Sequence, residues 1–277
     1  MIINTLDKLE EMAIFIIYFI IGLVASILGS MAGIGGGVII KPILDIIGLD
    51  DVSTISILSA STVLAMAAMS IITMLFSKKL QVRFKIASLL AMASIIGGII
   101  GKGMFNRLLG SFAQPDMVAM MQSIILAFLM ILIYIYQKKK YVWRTFTLEK
   151  APIILMIGFT LGLIAAFLGI GGGPFNVAIL SLCFSMTAKE SSINSLFIIF
   201  FSQLSSIITT SVTTGFTEID LTMLPYIVIG GVIGGLTGSA LLSRVTNTMI
   251  DHVFTIVIFI IICINLLNAI TLLPSLV

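Results

Sequence analysis

The sequence predicts an all-α polytopic membrane protein, an inverted-topology repeat of two homologous halves. Three observations carry that expectation: long runs without charge, a duplicated glycine motif, and a loop-charge pattern that reverses between the halves. Of 277 residues, 59% are hydrophobic and only 10% charged, and the mean hydropathy is +1.24. Globular chains carry about a quarter charged residues. No charge occurs in 12–40, 52–77, 117–137, 151–188, 191–217, 221–243 or 253–277. Most of these runs reach the roughly 20 apolar residues that a bilayer-spanning helix needs. They are too long for the alternating segments of about 10 residues that build a β-barrel.

Taken in chain order, the long segments fall near 12–32, 52–76, 86–109 and 117–136, then 151–168, 191–213, 221–243 and 250–273. Two short apolar segments, near 38–49 and 174–186, each follow a glycine-rich break. At about 1.5 Å rise per residue they reach about 20 Å, short of a hydrocarbon core of about 30 Å, so they read as half-helices, re-entrant segments or steep crossings. The acidic start, with Asp7, Glu10 and Glu11, lacks the basic region and small-residue cleavage site of a signal peptide. The first apolar segment is therefore expected to remain.

Gly33-Ile34-Gly35-Gly36-Gly37 recurs 136 residues later as Gly169-Ile170-Gly171-Gly172-Gly173, and nine of 24 residues agree when 21–44 is laid over 157–180. Ile96–Gly101 likewise matches Ile229–Gly234 at an offset of 133. Two motifs in the same order divide the chain into a first transmembrane repeat at 1–137, a basic linker at 138–150 and a second repeat at 151–277. Each half has four long helices plus the short segment.

Cytoplasmic loops are enriched in Lys and Arg. The loop with Lys78, Lys79, Arg83 and Lys85 and the linker with Lys138–Lys140 both read as cytoplasmic. Both termini, Asp50-Asp51, and the acidic stretch with Glu218 and Asp220 then fall outside. The equivalent loops of the two halves lie on opposite sides, the arrangement of many secondary transporters.

The stretch Leu28-Gly29-Ser30-Met31-Ala32-Gly33-Ile34-Gly35-Gly36-Gly37-Val38-Ile39-Ile40-Lys41-Pro42, with its second copy Leu168-Gly169-Ile170-Gly171-Gly172-Gly173-Pro174, resembles the signature of the TauE/SafE family of sulfite and organosulfur-anion exporters. The resemblance covers essentially the whole chain. It implies a secondary transporter or facilitator that moves a small anion (sulfite, an organosulfonate or a related small acid) across the cell membrane by alternating access, in the export direction. An ion-coupled importer of a sulfur compound, using a proton or sodium ion, and a non-transporting membrane scaffold remain the alternatives, and homo-oligomer formation stays open.

The glycine runs supply the first candidate ligands. Three consecutive glycines are poor helix formers, at about 1 kcal/mol each relative to Ala. A break followed by a half-helix leaves N–H groups with the positive dipole end, a site for an anion that needs no buried charge. Gly35, Gly36, Gly37, Gly171, Gly172 and Gly173 are therefore substrate-binding candidates. The competing reading is that they permit close helix packing, which is also the reading for the glycines near 97–101 and 230–238. Asn176, Ser59, Ser61, Thr62, Asn194, Ser195 and Gln203 are polar candidates near the breaks. Their hydroxyls and amides could hold substrate oxygens, although Ser and Thr in membrane helices also bond to their own backbone. Lys41 lies in a short apolar segment opposite Val177. It could attract anions, pair with Asp45, or reach an interface. Lys102 poses the same question within the glycine-rich helix.

The net charge of +3 and the lack of a basic-aromatic stripe argue against nucleic-acid binding. Cys183 and Cys263 are far apart and show no metal or disulfide spacing. No nucleotide, hydrolase or metalloprotease motif occurs, so neither a cofactor nor an enzymatic activity is expected.

Overall fold

A computed structural model describes residues 2–77, 82–111, 115–140, 142–170, 172–213, 215–216 and 219–271. These residues are all-helical and contain no strand. They form α1 (Ile2–Ala32), α2 (Gly37–Ile47), α3 (Val52–Phe76), α4 (Phe84–Ser111), α5 (Pro115–Lys139), α6 (Ala151–Leu168), α7 (Gly173–Phe184), α8 (Ala188–Thr213), α9 (Leu224–Arg244) and α10 (Asn247–Thr271). Eight of them are long and apolar enough to cross a membrane; α2, with 11 residues, and α7, with 12, are not.

Local chemistry sets the boundaries. Asp51 caps α3 by accepting from the backbone N–H of Ser53 at 3.0 Å and Thr54 at 3.3 Å, which satisfies donors that a helix start leaves orphaned. Gly48 closes α2 in a left-handed conformation, donating to the Leu44 carbonyl at 3.0 Å. Pro174 occupies the first turn of α7, where a missing N–H costs nothing.

The helices pack in pairs that recur when the first five are exchanged for the last five. α1 runs along α9, and α6 along α4; α3 meets α9, and α8 meets α4. α3 and α8 touch each other, as do α5 and α10. Glycines make the closest of these contacts. A Cβ on Gly22 would lie 2.3 Å from the Ile227 carbonyl oxygen, and one on Gly158 would lie 2.6 Å from that of Leu90. Gly97 meets the Phe159 oxygen at 2.0 Å, and Gly234 meets the Leu23 oxygen at 2.7 Å.

These contacts correct one register. Gly22 and Gly158 differ by the expected 136 residues, but their partners Ile227 and Leu90 differ by 137. Gly97 thus matches Gly234 rather than Gly230. The glycines of α9 repeat every four residues, so a slip of one turn still superimposes glycine on glycine and escapes a sequence comparison.

Large apolar side chains such as Met92 and Ile96 on α4, Phe128 and Leu132 on α5, Met156 on α6 and Phe259 on α10 are exposed. So wide an apolar surface suits lipid rather than water. The interior holds a large cluster that includes Tyr18, Ile34, Ile40, Leu58, Met66, Leu196 and Ile258, and a smaller one of Leu90, Ile154, Leu180, Phe184, Met186 and Ile198.

The close pairing of α4 and α6 yields a direct test. Gly97→Ala places a methyl group against the Phe159 backbone and should lower stability by about 1–3 kcal/mol. Gly103→Ala, with nothing within 4 Å of the added atom, should not lower it. The apparent melting temperature of each detergent-solubilised variant checks both outcomes.

Candidate functional site

The two glycine breaks cross at the centre of the molecule and touch. A Cβ on Gly37 would lie 3.0 Å from the Ile170 carbonyl oxygen, and one on Gly173 only 1.2 Å from that of Ile34. Each half-helix therefore begins against a carbonyl of the other break. The expectation of an anion held between the breaks meets a close backbone contact at this point, and packing is what requires glycine at Gly37 and Gly173. Gly33 and Gly169 both adopt positive φ, +70° and +67°, a region an L side chain rarely enters. Gly35 faces Val63 and Ile199, and Gly36 lies against Ala25. Gly172 sits over the Asn176 amide, which is buried. Gly171 lies outside the described residues.

The carbonyls that end α1 and α6 are satisfied differently. The hydroxyl of Ser192 donates to Ala32 O at 2.9 Å, and that of Ser195 to Gly33 O at 2.6 Å. On the equivalent end of α6, Lys41 Nζ donates to Leu168 O at 3.0 Å and to Gln122 Oε1 at 2.5 Å, while Gln122 Nε2 donates to Phe167 O at 2.7 Å. A lysine and a glutamine thus occupy the capping role that two serines play in the other half. A cation at a helix C-terminus is favoured by the dipole. Lys41 is only 4% exposed and reaches no interface.

Lys102, on α4, is 6% exposed and donates to Ser56 Oγ at 3.1 Å. The two ammonium nitrogens lie 5.7 and 5.0 Å from the centroid of the same Phe105 ring, within cation–π range. Among the described residues, neither lysine has a carboxylate within 4 Å. Asp45 is half-buried one turn from Lys41 but makes no ion pair with it.

Lys102 and Phe105 line a cleft of about 180 Å³ together with Asp51, Ser53, Ile57, Asn106, Thr210, Gly215 and Ile219. Behind Ser56 lies a void of about 10 Å³ bordered by Gly169, Ser202, Gln203 and Ser206, close to the space one water needs. Ser56 links the two, because the residue that borders the void also supplies the acceptor of Lys102.

The remaining sequence candidates separate. Gln203 borders the void, and Ser59 is buried against Gly37. Ser61 faces an apolar groove between α3, α8 and α9, away from the lysines. Thr62 donates to Leu58 O at 2.7 Å and packs against Gly231. Asn194 braces the far end: its Oδ1 accepts from Arg83 N at 2.9 Å, its Nδ2 donates to Glu190 O at 2.8 Å, and Arg83 pairs with Glu190 at 3.4 Å. Gln122 and Phe105 were not among the sequence candidates. An amide well inside the charge-free run of α5 was the available signal for Gln122; Phe105 offered none.

Eight apolar spans around buried cations and polar clefts define a multi-pass helical membrane protein. The chain belongs to the sulfite exporter TauE/SafE family, whose model matches residues 18–265, and it is accordingly a membrane transporter. It is 25% identical over 267 residues, 90% of this chain and 96% of the relative, to the probable membrane transporter protein YunE of Bacillus subtilis (strain 168). No solved structure matches it.

The Lys41 cluster predicts a coupling. Gln122→Leu leaves the Lys41 ammonium and the Phe167 carbonyl short of partners and should cost about 1–3 kcal/mol. Adding Lys41→Met should recover part of that loss, a non-additivity expected of groups in one network. Apparent melting temperatures of the two single variants and the double variant measure it.

Proposed function

We propose that the protein moves a small anion, such as sulfite, an organosulfonate or a related small acid, out across the cell membrane by alternating access between two inverted halves. The observation that carries this reading is the pair of buried ammonium groups with no carboxylate within 4 Å among the described residues, one of them lining an open cleft. Burying a charge without a directly paired counter-charge is costly, and a substrate anion would supply that partner. The family's description as a sulfite exporter supports the choice of anion.

The recurring helix pairs, at a common register of 136–137 residues, support the division into halves at 1–137 and 151–277 joined by a linker at 138–150. Loop charge supports a cytoplasmic linker and external termini. In that orientation the cleft beside Asp51 and Ile219 opens outward, and the Arg83–Glu190–Asn194 cluster closes the inner end. An inside-negative potential would drive each negative charge outward with about 2.3 kcal/mol per 100 mV, so export needs no coupling ion.

Flux into proteoliposomes, measured for sulfite, sulfate, thiosulfate, sulfoacetate and acetate with and without an imposed potential and pH gradient, tests the function. Saturable flux of at least one of these anions, following the potential alone, is expected; folded protein that moves none of them sinks the proposal. Orientation has its own test in whole cells. With Cys183 and Cys263 replaced, Ser53→Cys should react with an impermeant thiol reagent from outside, and Thr145→Cys only after permeabilisation.

A further inference from the structure

Resting on the reading of the protein as an anion exporter, we propose that the two buried lysines divide their work: the anion leaves the void at Ser202 and Gln203 past Ser56 and is held by Lys102 in the outer cleft before release, while Lys41 is a fixed cap that never leaves its carbonyl.

The two ammonium groups share one aromatic ring but differ in their surroundings. Lys41 is tied to two oxygens on two helices, Gln122 Oε1 on α5 and Leu168 O on α6. It does not line the cleft. A Cβ on Gly169 would lie 3.1 Å from its nitrogen, so the second break closes over it. Lys102 donates to the Ser56 hydroxyl and lines the cleft with the polar side chains of Asn106, one turn on along α4, Ser53 and Thr210. Asp51, the carboxylate among the described residues that line the cleft, has both oxygens engaged by backbone N–H groups at the start of α3, which offsets its charge. An anion that reaches the cleft therefore meets a cation held by a neutral hydroxyl.

Ser56 is where the path narrows. Its Oγ accepts from Lys102 on the cleft side, and the residue borders the small void on the other. The void is too small for an anion as it stands. Passage requires the Lys102–Ser56 bond to break and α3 and α8 to part, and the hydroxyl so released is free to donate to the anion. The void beyond is lined by Ser202, Gln203 and Ser206, neutral groups that hold an anion without trapping it.

The path is chemically one-sided. At the register of the helix contacts, Lys102 corresponds to Ser239, whose hydroxyl donates to Gly235 O at 2.6 Å within α9, and Phe105 corresponds to the buried Leu242. Lys41 corresponds to Val177. Both buried cations belong to the first half, so the substrate passes from neutral groups of the second half to a cation of the first before release.

Thiol reagents of opposite charge probe the cleft whichever anion is the substrate. In a protein with Cys183 and Cys263 replaced, Asn106→Cys is reacted with an anionic and a cationic methanethiosulfonate reagent. A positive cleft raises the local concentration of anions by roughly tenfold or more. The anionic reagent should therefore be favoured, the preference should fall roughly tenfold in Lys102→Gln, and it should survive in Lys102→Arg and in Ser56→Ala. In proteoliposomes, Lys102→Gln and Ser56→Ala should each lose flux of the anion that the wild type carries. A reagent preference independent of residue 102, or a wild-type rate of flux in Lys102→Gln, overturns the inference even where the wild type transports. A wild type that carries none of the panel anions, but keeps a Lys102-dependent preference, overturns the proposed function and leaves the anion-attracting role of Lys102 standing.

Discussion

The crossing of the two glycine breaks is the contact on which the rest of the structure depends. Backbone that leaves the helix at membrane depth must find its partners within the protein, because lipid offers none. Here Ile34 and Ile170 each present a carbonyl to the first residue of the opposite half-helix. Only glycine lets the chains come so close. The short lengths of α2 and α7 follow from that crossing, since each half-helix begins in the interior. So does the placement of α3 and α8, whose serines reach the carbonyls at the end of α1 and border the void beside Gly169.

Around this crossing the two halves repeat their packing but not their chemistry. Serine hydroxyls cap the end of α1, whereas a lysine and a glutamine cap the end of α6. Replacing neutral donors by a cation leaves the helix end satisfied and adds a fixed positive charge beside Phe105. Lys102 adds a second charge over the same ring. The recurring helix packing thus carries an uneven distribution of buried charge.

Much of the helix plan was legible in the sequence because the bilayer imposes a simple rule on composition. The long apolar segments locate seven of the eight long helices to within a few residues and the end of α1, which begins ten residues earlier in the charged stretch; the glycine runs locate the starts of both short ones. The register between α4 and α9 was not legible, because glycines repeating every four residues look the same after a slip of one turn. Among the site candidates, Gln203 and Lys41 are buried beside the breaks. Ser61, Thr62 and Asn194 belong to the same set of polar candidates near the breaks. They diverge because successive residues on a helix point in different directions: Ser61 to an apolar groove, Thr62 to α9, and Asn194 to the start of α4.

The sequence by itself determined that this chain is a helical membrane protein with a duplicated glycine motif and two lysines in apolar segments, since length, charge and repetition are written residue by residue. Only the tertiary structure decided which glycines touch, that Lys41 caps α6, and that Lys102 alone of the two faces a cleft. Those outcomes depend on contacts between residues far apart in the chain. No local pattern encodes which carbonyl a buried ammonium will find.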